Sequence, residues 1–250
     1  MTATTITEVI DQLTEIIARS CAENRREGYF AALYRKVTIA VYDKIKAGYF
    51  DDNDRMEKLD VVFANRYLEA YHCYRGKKAC SASWKVAFDS GSNWRPMVMH
   101  HLLTGMNAHI ALDLGIATAI VSPGTGIMDI QKDFNKINTV LCELITEVKA
   151  DLYSMWPLSK LISKLNMGKL ENDIAGFSMN IARDAAWQVA LAYAADPGVL
   201  AQQNYLATRD TSVANFGNRL LNPGKFVYAL TGIFRVFEFG SIPNKIKRLE

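Results

Sequence analysis

Cysteine and histidine are both scarce, at four each in 250 residues, and no two cysteines form a CxxC pair. That excludes the zinc-knuckle and thioredoxin-like motifs, which need closely spaced thiols. The net charge is only +3 and no long basic run occurs, which leaves no footprint for nucleic acid. The opening residues (MTATTITEVIDQLTEII) carry acids early and no positive region, so they do not read as a secretory signal. Cys21, Cys73, Cys80 and Cys142 are scattered, and the expectation is a cytoplasmic protein with reduced thiols. A continuous apolar run of the ~20 residues needed to cross a bilayer is also missing. The longest charge-poor stretch, 96–128, is broken by Asp113, three histidines and a Ser-Pro-Gly-Thr-Gly turn. There is no useful strand alternation, no fixed-period repeat and no low-complexity tract.

What is present is helical periodicity. Half of the residues are hydrophobic and 22% are charged, ordinary for a globular chain long enough to build one large core. Ile6, Val9, Ile10, Leu13, Ile16 and Ile17 recur at helical spacing within 5–22. A second pattern over 29–47 stops at Gly48. Asp52 or Asn53 can cap a third that runs to about Tyr74 and meets Gly76. Shorter or later helices fit 81–89, 127–153, 157–166, 170–195, 198–222 and 225–239. The expectation is an all-α fold: one domain over 1–250, an irregular bundle of about nine or ten helices around a buried central helix.

That central helix holds most of the chemistry. Ser92 or Asn93 with Pro96 opens it, and the break at Ser122 closes it. Its segment Met97–Leu114 (MVMHHLLTGMNAHIALDL) is apolar on nearly every side yet contains three histidines, Asn107 and Asp113. Polar groups on a buried helix must find partners, because an unpaired one costs ~1–3 kcal/mol. His101, Gly105, His109 and Asp113 are spaced by four and form one stripe, with Asn107 nearly opposite. His109 and Asp113 can meet directly. His101 and His109 lie ~12 Å apart along a straight axis and cannot share one metal ion unless the helix bends. Gly105 between them permits a bend or a close approach.

Three readings stay open. His109 and Asp113 could supply ligands to a divalent metal, with other helices completing the shell. Asp113 could orient His109 as a general base. The polar groups could instead bind one another and the backbone across helices.

Other residues add candidates. Asp60, Phe63, Ala64 and Tyr67 share a face beside Arg66, and a partly exposed ion-pair face is expected there. Asn138 points inward on its helix, while Glu143, Glu147 and Asp151 make a solvated face. Arg183 is one turn from Trp187 in an alanine-rich helix, suited to stacking, to an anionic ligand or cofactor, or to a buried acid. The acid-rich Phe50-Asp51-Asp52-Asn53-Asp54 and the later Asn172-Asp173 loosely resemble the magnesium-binding pair of isoprenoid synthases. The first lacks the full DDxxD spacing, and Gly176 and Asn180 stand where a hydroxyl and a carboxylate are expected. The aromatic stretch 226–239 (FVYALTGIFRVFEF) is expected to close the core or a homo-oligomer contact, because Arg235 and Glu238 make little of a basic face. The run 245–248 is expected to be a solvated tail.

Several stretches combine into a family resemblance. They are FAALYR at 30–35, GYFDD at 48–52, Arg55-Met56 with Leu59-Asp60, Phe63-Ala64 with Arg66-Tyr67-Leu68, Trp84 with Ala87-Phe88, HLLTGMNAHIALDL at 101–114, and Arg183 with Ala186-Trp187. Together they resemble an uncharacterised bacterial all-helical family, a domain of unknown function. The resemblance implies the helical fold and no established reaction. The histidine/aspartate helix is also loosely similar to zinc-dependent phospholipase C and nuclease P1 folds, whose zinc-ligand set is not recovered here. Three functions follow: a metal-assisted hydrolase using His109, Asp113, His101 and Asn107; a non-catalytic helical domain that binds a small-molecule ligand or fixes packing; and, as a lesser alternative, an enzyme that uses isoprenoid diphosphates.

Overall fold

A computed structural model describes residues 2–155, 179–195 and 198–250. Ten helices and no strand occur among the described residues, so the fold is all-α. They are α1 (Ile6–Ala22), α2 (Glu27–Lys46), α3 (Asn53–Arg75), α4 (Ala82–Asp89), α5 (Val98–Val121), α6 (Gln131–Ser154), α7 (Met179–Ala195), α8 (Val199–Leu221), α9 (Lys225–Val236) and α10 (Ile242–Lys247). The helix expected over 157–166, the first residues of the one expected over 170–195, and the motif at Asn172-Asp173 lie outside the described residues.

Local chemistry sets the helix ends. Thr5 Oγ1 accepts from Glu8 N–H, while Glu8 reaches back to Thr4 N–H, so two orphan donors at the start of α1 are satisfied together. Asp52 caps α3 by accepting from Arg55 N–H, and Ser81 caps α4 by accepting from Trp84 N–H. Past α2, Gly48 takes φ +68°, a left-handed turn that an L side chain resists.

The apolar stripe of α1 (Val9, Leu13, Ile16, Ile17) packs on α2, and this pair forms one wall of the core. Helix α5 runs through the middle. Its first half meets α2, α4 and α8, and its last turns meet α3 and α7. By length and composition α5 could cross a membrane, but 83% of that apolar window is buried inside the fold. It is the core helix of the bundle, as its all-round apolarity suggests.

α5 is not uniform. Val98–Ala108 is α-helical, His109–Leu114 is a π-helical segment, and Gly115–Val121 returns to α. The bend considered at Gly105 is absent from that position, and the wide turn begins four residues later. Gly105 serves a close approach instead: a Cβ there would stand 2.5 Å from Phe30 Cδ2. Arg209 of α8 donates from Nε to the Ala111 carbonyl (3.1 Å), in the middle of the wide turn. A side chain entering the backbone ladder is a recognised accompaniment of such irregularities.

The C-terminus departs from expectation. Residues 245–248 are not a solvated tail: Lys245 and Ile246 are buried, as is Leu249. Ile246 lies against α2 at Gly28, where any Cβ would collide with it. The aromatic stretch likewise does not end in the core, since Val236, Phe237 and Phe239 are exposed. Glu143 and Glu147 are exposed on α6, as expected of a solvated face, and with Asp151 they also pair across to α2, Lys36 with Glu147 and Asp151 and Lys44 with Glu143.

Candidate functional site

The three histidines of α5 face three different tasks. His100 Nδ1 accepts from the backbone N–H of Met97 (3.3 Å), reaching back over the helix start. The next N–H, of Val98, donates to Glu238 Oε1 at 2.9 Å. Two of the four orphan donors at this terminus are therefore satisfied by side chains. His101 Nδ1 lies 3.0 Å from Ser90 Oγ, whose single proton goes to the Ala87 carbonyl. His101 is then the donor, and its Nε2 is buried without a partner. Burial, with the charges of Arg26 and the neighbouring His100, pushes the His101 pKa down to about 3.

His109 and Asp113 do meet, inside the π-helical segment. Asp113, 1% exposed, is a hub for three elements. Its Oδ1 accepts from Arg66 Nε of α3 (2.8 Å), and its Oδ2 accepts from Trp84 Nε1 of α4 (2.7 Å). His109 Nδ1 is a longer third partner, 3.5 Å from Oδ2. Burial alone would raise the Asp113 pKa, but the His109 hydrogen bond and the Arg66 charge outweigh it and hold the carboxyl below its usual range. The ion pair expected at Arg66 forms with Asp113, and the Arg66 side chain is itself part-exposed. The face around it is buried, however, rather than the partly exposed ion-pair face expected: Asp60, Ala64 and Tyr67 are all buried.

The imidazole of His109 sits in a chamber of five rings. Phe63 lies flat on it, with centroids 3.6 Å apart and planes 6° apart. Tyr34 meets it edge-on at 4.4 Å, and Phe30, Tyr67 and Trp84 close the remaining sides. Desolvation lowers the His109 pKa despite Asp113, so the ring is neutral at pH 7. Nδ1 keeps the proton and points it at the Asp113 carboxylate, leaving Nε2 as a bare acceptor. His109 Nε2 and the Tyr67 hydroxyl are buried without a hydrogen-bond partner; the Tyr34 hydroxyl has Thr38 beside it, and the two tyrosine rings touch each other and the imidazole. Asp60 lies close enough for its charge to act on the Tyr34 phenol. Burial pushes the Asp60 carboxyl up to about 7, and its Oδ2 also lacks a partner. Perturbed carboxyls beside buried aromatic hydroxyls are a mark of functional sites.

Asn107 and Arg183 lie elsewhere. Asn107 Nδ2 donates to the Val213 carbonyl of α8 (2.8 Å), an interhelical tie on the far side of α5. Arg183 is buried between α7 and α6, where its guanidinium stacks on Phe134 (4.4 Å) and donates to the Phe134 carbonyl. Trp187 also packs on Phe134, so the stacking anticipated between Arg183 and Trp187 runs through that ring. Arg183 makes no ion pair among the described residues, and burial lowers its pKa to about 10. The acid-rich motif is occupied structurally: Asp51 pairs with Lys132 and Lys136, and Asp52 caps α3. Asp133 then accepts from the N–H groups of Asp51 and Asp52.

Sequence reasoning found the His109–Asp113 pair by its spacing. It missed Trp84 and Tyr34 as site residues. Both stand inside the stretches quoted for the family resemblance, the only sequence signal that pointed to them. Among the described residues no group of three or more His, Cys, Asp or Glu is arranged to hold a metal ion. The Asp113 oxygens already face Arg66 and Trp84, and a divalent cation there would face the arginine charge.

Fold and site together define an all-α protein built around an aromatic chamber with one buried imidazole. A family of unknown function, DUF5995, matches residues 6–223, most of the chain, and the protein belongs to that family. No curated protein and no solved structure matches it.

Proposed function

We propose that this protein binds a small molecule in the chamber around His109, with His109 Nε2 as the hydrogen-bond acceptor. One observation carries the reading: two buried polar atoms, His109 Nε2 and the Tyr67 hydroxyl, lie among touching rings without partners, and the Tyr34 hydroxyl beside them has only Thr38. A buried polar atom left unmatched costs ~1–3 kcal/mol, a penalty that a ligand with its own donor and acceptor relieves. The walls favour a flat apolar body, so the ligand class is an aromatic or unsaturated ring bearing a hydroxyl. Of the five rings only Phe63 is less than fully buried, which makes it the wall that moves to admit a ligand. If the ligand is also a substrate, His109 acts as a metal-free general base, with Asp113 fixing its tautomer.

Thermal-shift assays on the wild type, His109→Gln and Tyr67→Phe test this against phenol, indole and 4-hydroxybenzoate, with zinc and magnesium in separate wells. An aromatic hydroxy compound should raise the wild-type Tm, and His109→Gln should abolish the rise. Stabilisation by zinc that disappears in His109→Gln would favour the metal-assisted hydrolase instead. No shift with any compound, and equal loss of Tm in both variants, would make the chamber a packing device.

A further inference from the structure

The family match ends at residue 223. Residues 1–223 carry 24 basic and 24 acidic side chains, whereas 224–250 carry five basic and two acidic ones. All of the net +3 therefore sits in the C-terminal segment. Its two acids are withdrawn from the surface field. Glu238 is buried against Lys245 (2.9 Å) and Arg235 (3.1 Å), and Glu250 pairs with Arg35 (3.0 Å). Lys225, Lys247 and Arg248 face solvent.

The same segment exposes large apolar side chains. Val236, Phe237 and Phe239 stand 64%, 40% and 57% exposed, and Trp94 is 56% exposed beside them. The Arg235 guanidinium joins the two parts: it lies 5.8 Å from the Trp94 ring, and its Nε donates to the Trp94 carbonyl at 2.7 Å. The acid at 238, which counts against a lipid-facing reading of the sequence, points inward and is neutralised, so among the described residues of the segment Glu250, paired with Arg35, is the one acid left at the surface.

We propose that this patch docks on an anionic lipid surface. Aromatic rings settle at the headgroup level, and Lys225, Lys247 and Arg248 meet the negative headgroups. A second protein would call for a complementary acidic and apolar surface, whereas the excess positive charge of this segment is met by any anionic bilayer.

The test is co-sedimentation of the intact protein with vesicles of phosphatidylcholine alone and of phosphatidylcholine mixed with phosphatidylglycerol. Wild type should pellet with the mixed vesicles only, and added salt should release it. Trp94→Ser with Phe239→Ser, and separately Lys247→Glu with Arg248→Glu, should each cut the bound fraction several-fold. All four positions are exposed, and unchanged near-ultraviolet circular dichroism verifies that each variant is folded. The charge-reversal pair alters two exposed positions away from the aromatic side chains in sequence, so it reports on docking even if the aromatic pair misfolds. Quenching by brominated lipid should be weaker in Trp94→Phe than in wild type. Absence of pelleting with mixed vesicles at low salt overturns the proposal. So does equal binding to neutral vesicles, or a solution dimer that Trp94→Ser with Phe239→Ser dissociates while vesicle binding is absent.

Discussion

Glu238 Oε1 accepts the backbone N–H of Val98 at 2.9 Å across 140 positions of sequence. Its other oxygen holds Lys245, itself buried. The last part of the chain thus anchors the first residue of the central helix, where the helix dipole favours a negative charge. Glu238→Gln keeps the shape and removes the charge, leaving Lys245 buried without a counterion. We expect a loss of about 3–5 kcal/mol in denaturant unfolding, the usual cost of breaking a buried pair from one side. Adding Lys245→Met should recover much of it. A single variant within about 1 kcal/mol of wild type would show that the anchor is not a stabilising contact.

The Asp113 hub predicts an order of effects. Trp84→Phe removes one donor and leaves Arg66 in place, for a loss of ~1–3 kcal/mol. Asp113→Ala strands the arginine and should cost more, about 3–5 kcal/mol. Asp113→Ala combined with Arg66→Ala should cost less than the sum of the two single changes, because the residues share one interaction. Urea unfolding of the four variants is the measurement, and strict additivity would disprove the coupling.

Two buried groups give stability opposite dependences on pH. Asp60 has its folded pKa raised from 3.8 to about 7. Between those values the folded state binds more protons than the unfolded one, so its contribution falls as pH rises through the window. Asp60→Asn should therefore stabilise at pH 8, on the order of a few kcal/mol, and change little near pH 3.5. His101 is depressed from 6.5 to about 3. There the unfolded state binds more protons, and stability is lost as pH falls from 6.5 toward 3. His101→Gln should flatten that acid limb. Thermal melts across pH for both variants check the two signs.

Glycine removal should discriminate between two packing contacts. A Cβ at Gly105 meets the Phe30 ring, whereas one at Gly115 meets the Ala186 carbonyl oxygen and Val189. A ring can be replaced and a backbone cannot. Gly105→Ala is expected to cost ~1–3 kcal/mol and to be partly rescued by Phe30→Leu. Gly115→Ala should cost at least as much, with Val189→Ala failing to rescue it, because the carbonyl stays. Paired melting temperatures decide.

Helix ends were legible because their chemistry is local. Thr5, Asp52, Ser81 and Gly48 sit where capping and turn preferences place them. The His109–Asp113 contact was legible for the same reason, being one turn long. The stripe of His101 and His109 misled, because spacing says which residues share a face and not what faces them. Ser90 claims one and an aromatic chamber the other. Arg66 and Glu238 act across 47 and 140 residues, and no local pattern encodes such distances. The burial of Lys245 was hidden for that reason, since its partner lies on the far side of a turn and is itself held by Val98.

The wide turn at His109–Leu114 makes this part of the chain sensitive to length rather than to composition. An α-helix advances by about 100° per residue, and the same helix must present Gly105 to Phe30 before the turn and Gly115 to Ala186 after it. Wound as regular α-helix throughout, the same residues would carry Gly115 about 100° further round than the wide turn does. A bulkier neighbour would then stand where Gly115 admits α7. The extra residue works as a vernier between two interfaces set at independent phases. One alanine inserted after Ala111 should therefore lower the melting temperature far more than any substitution at the exposed Ile120.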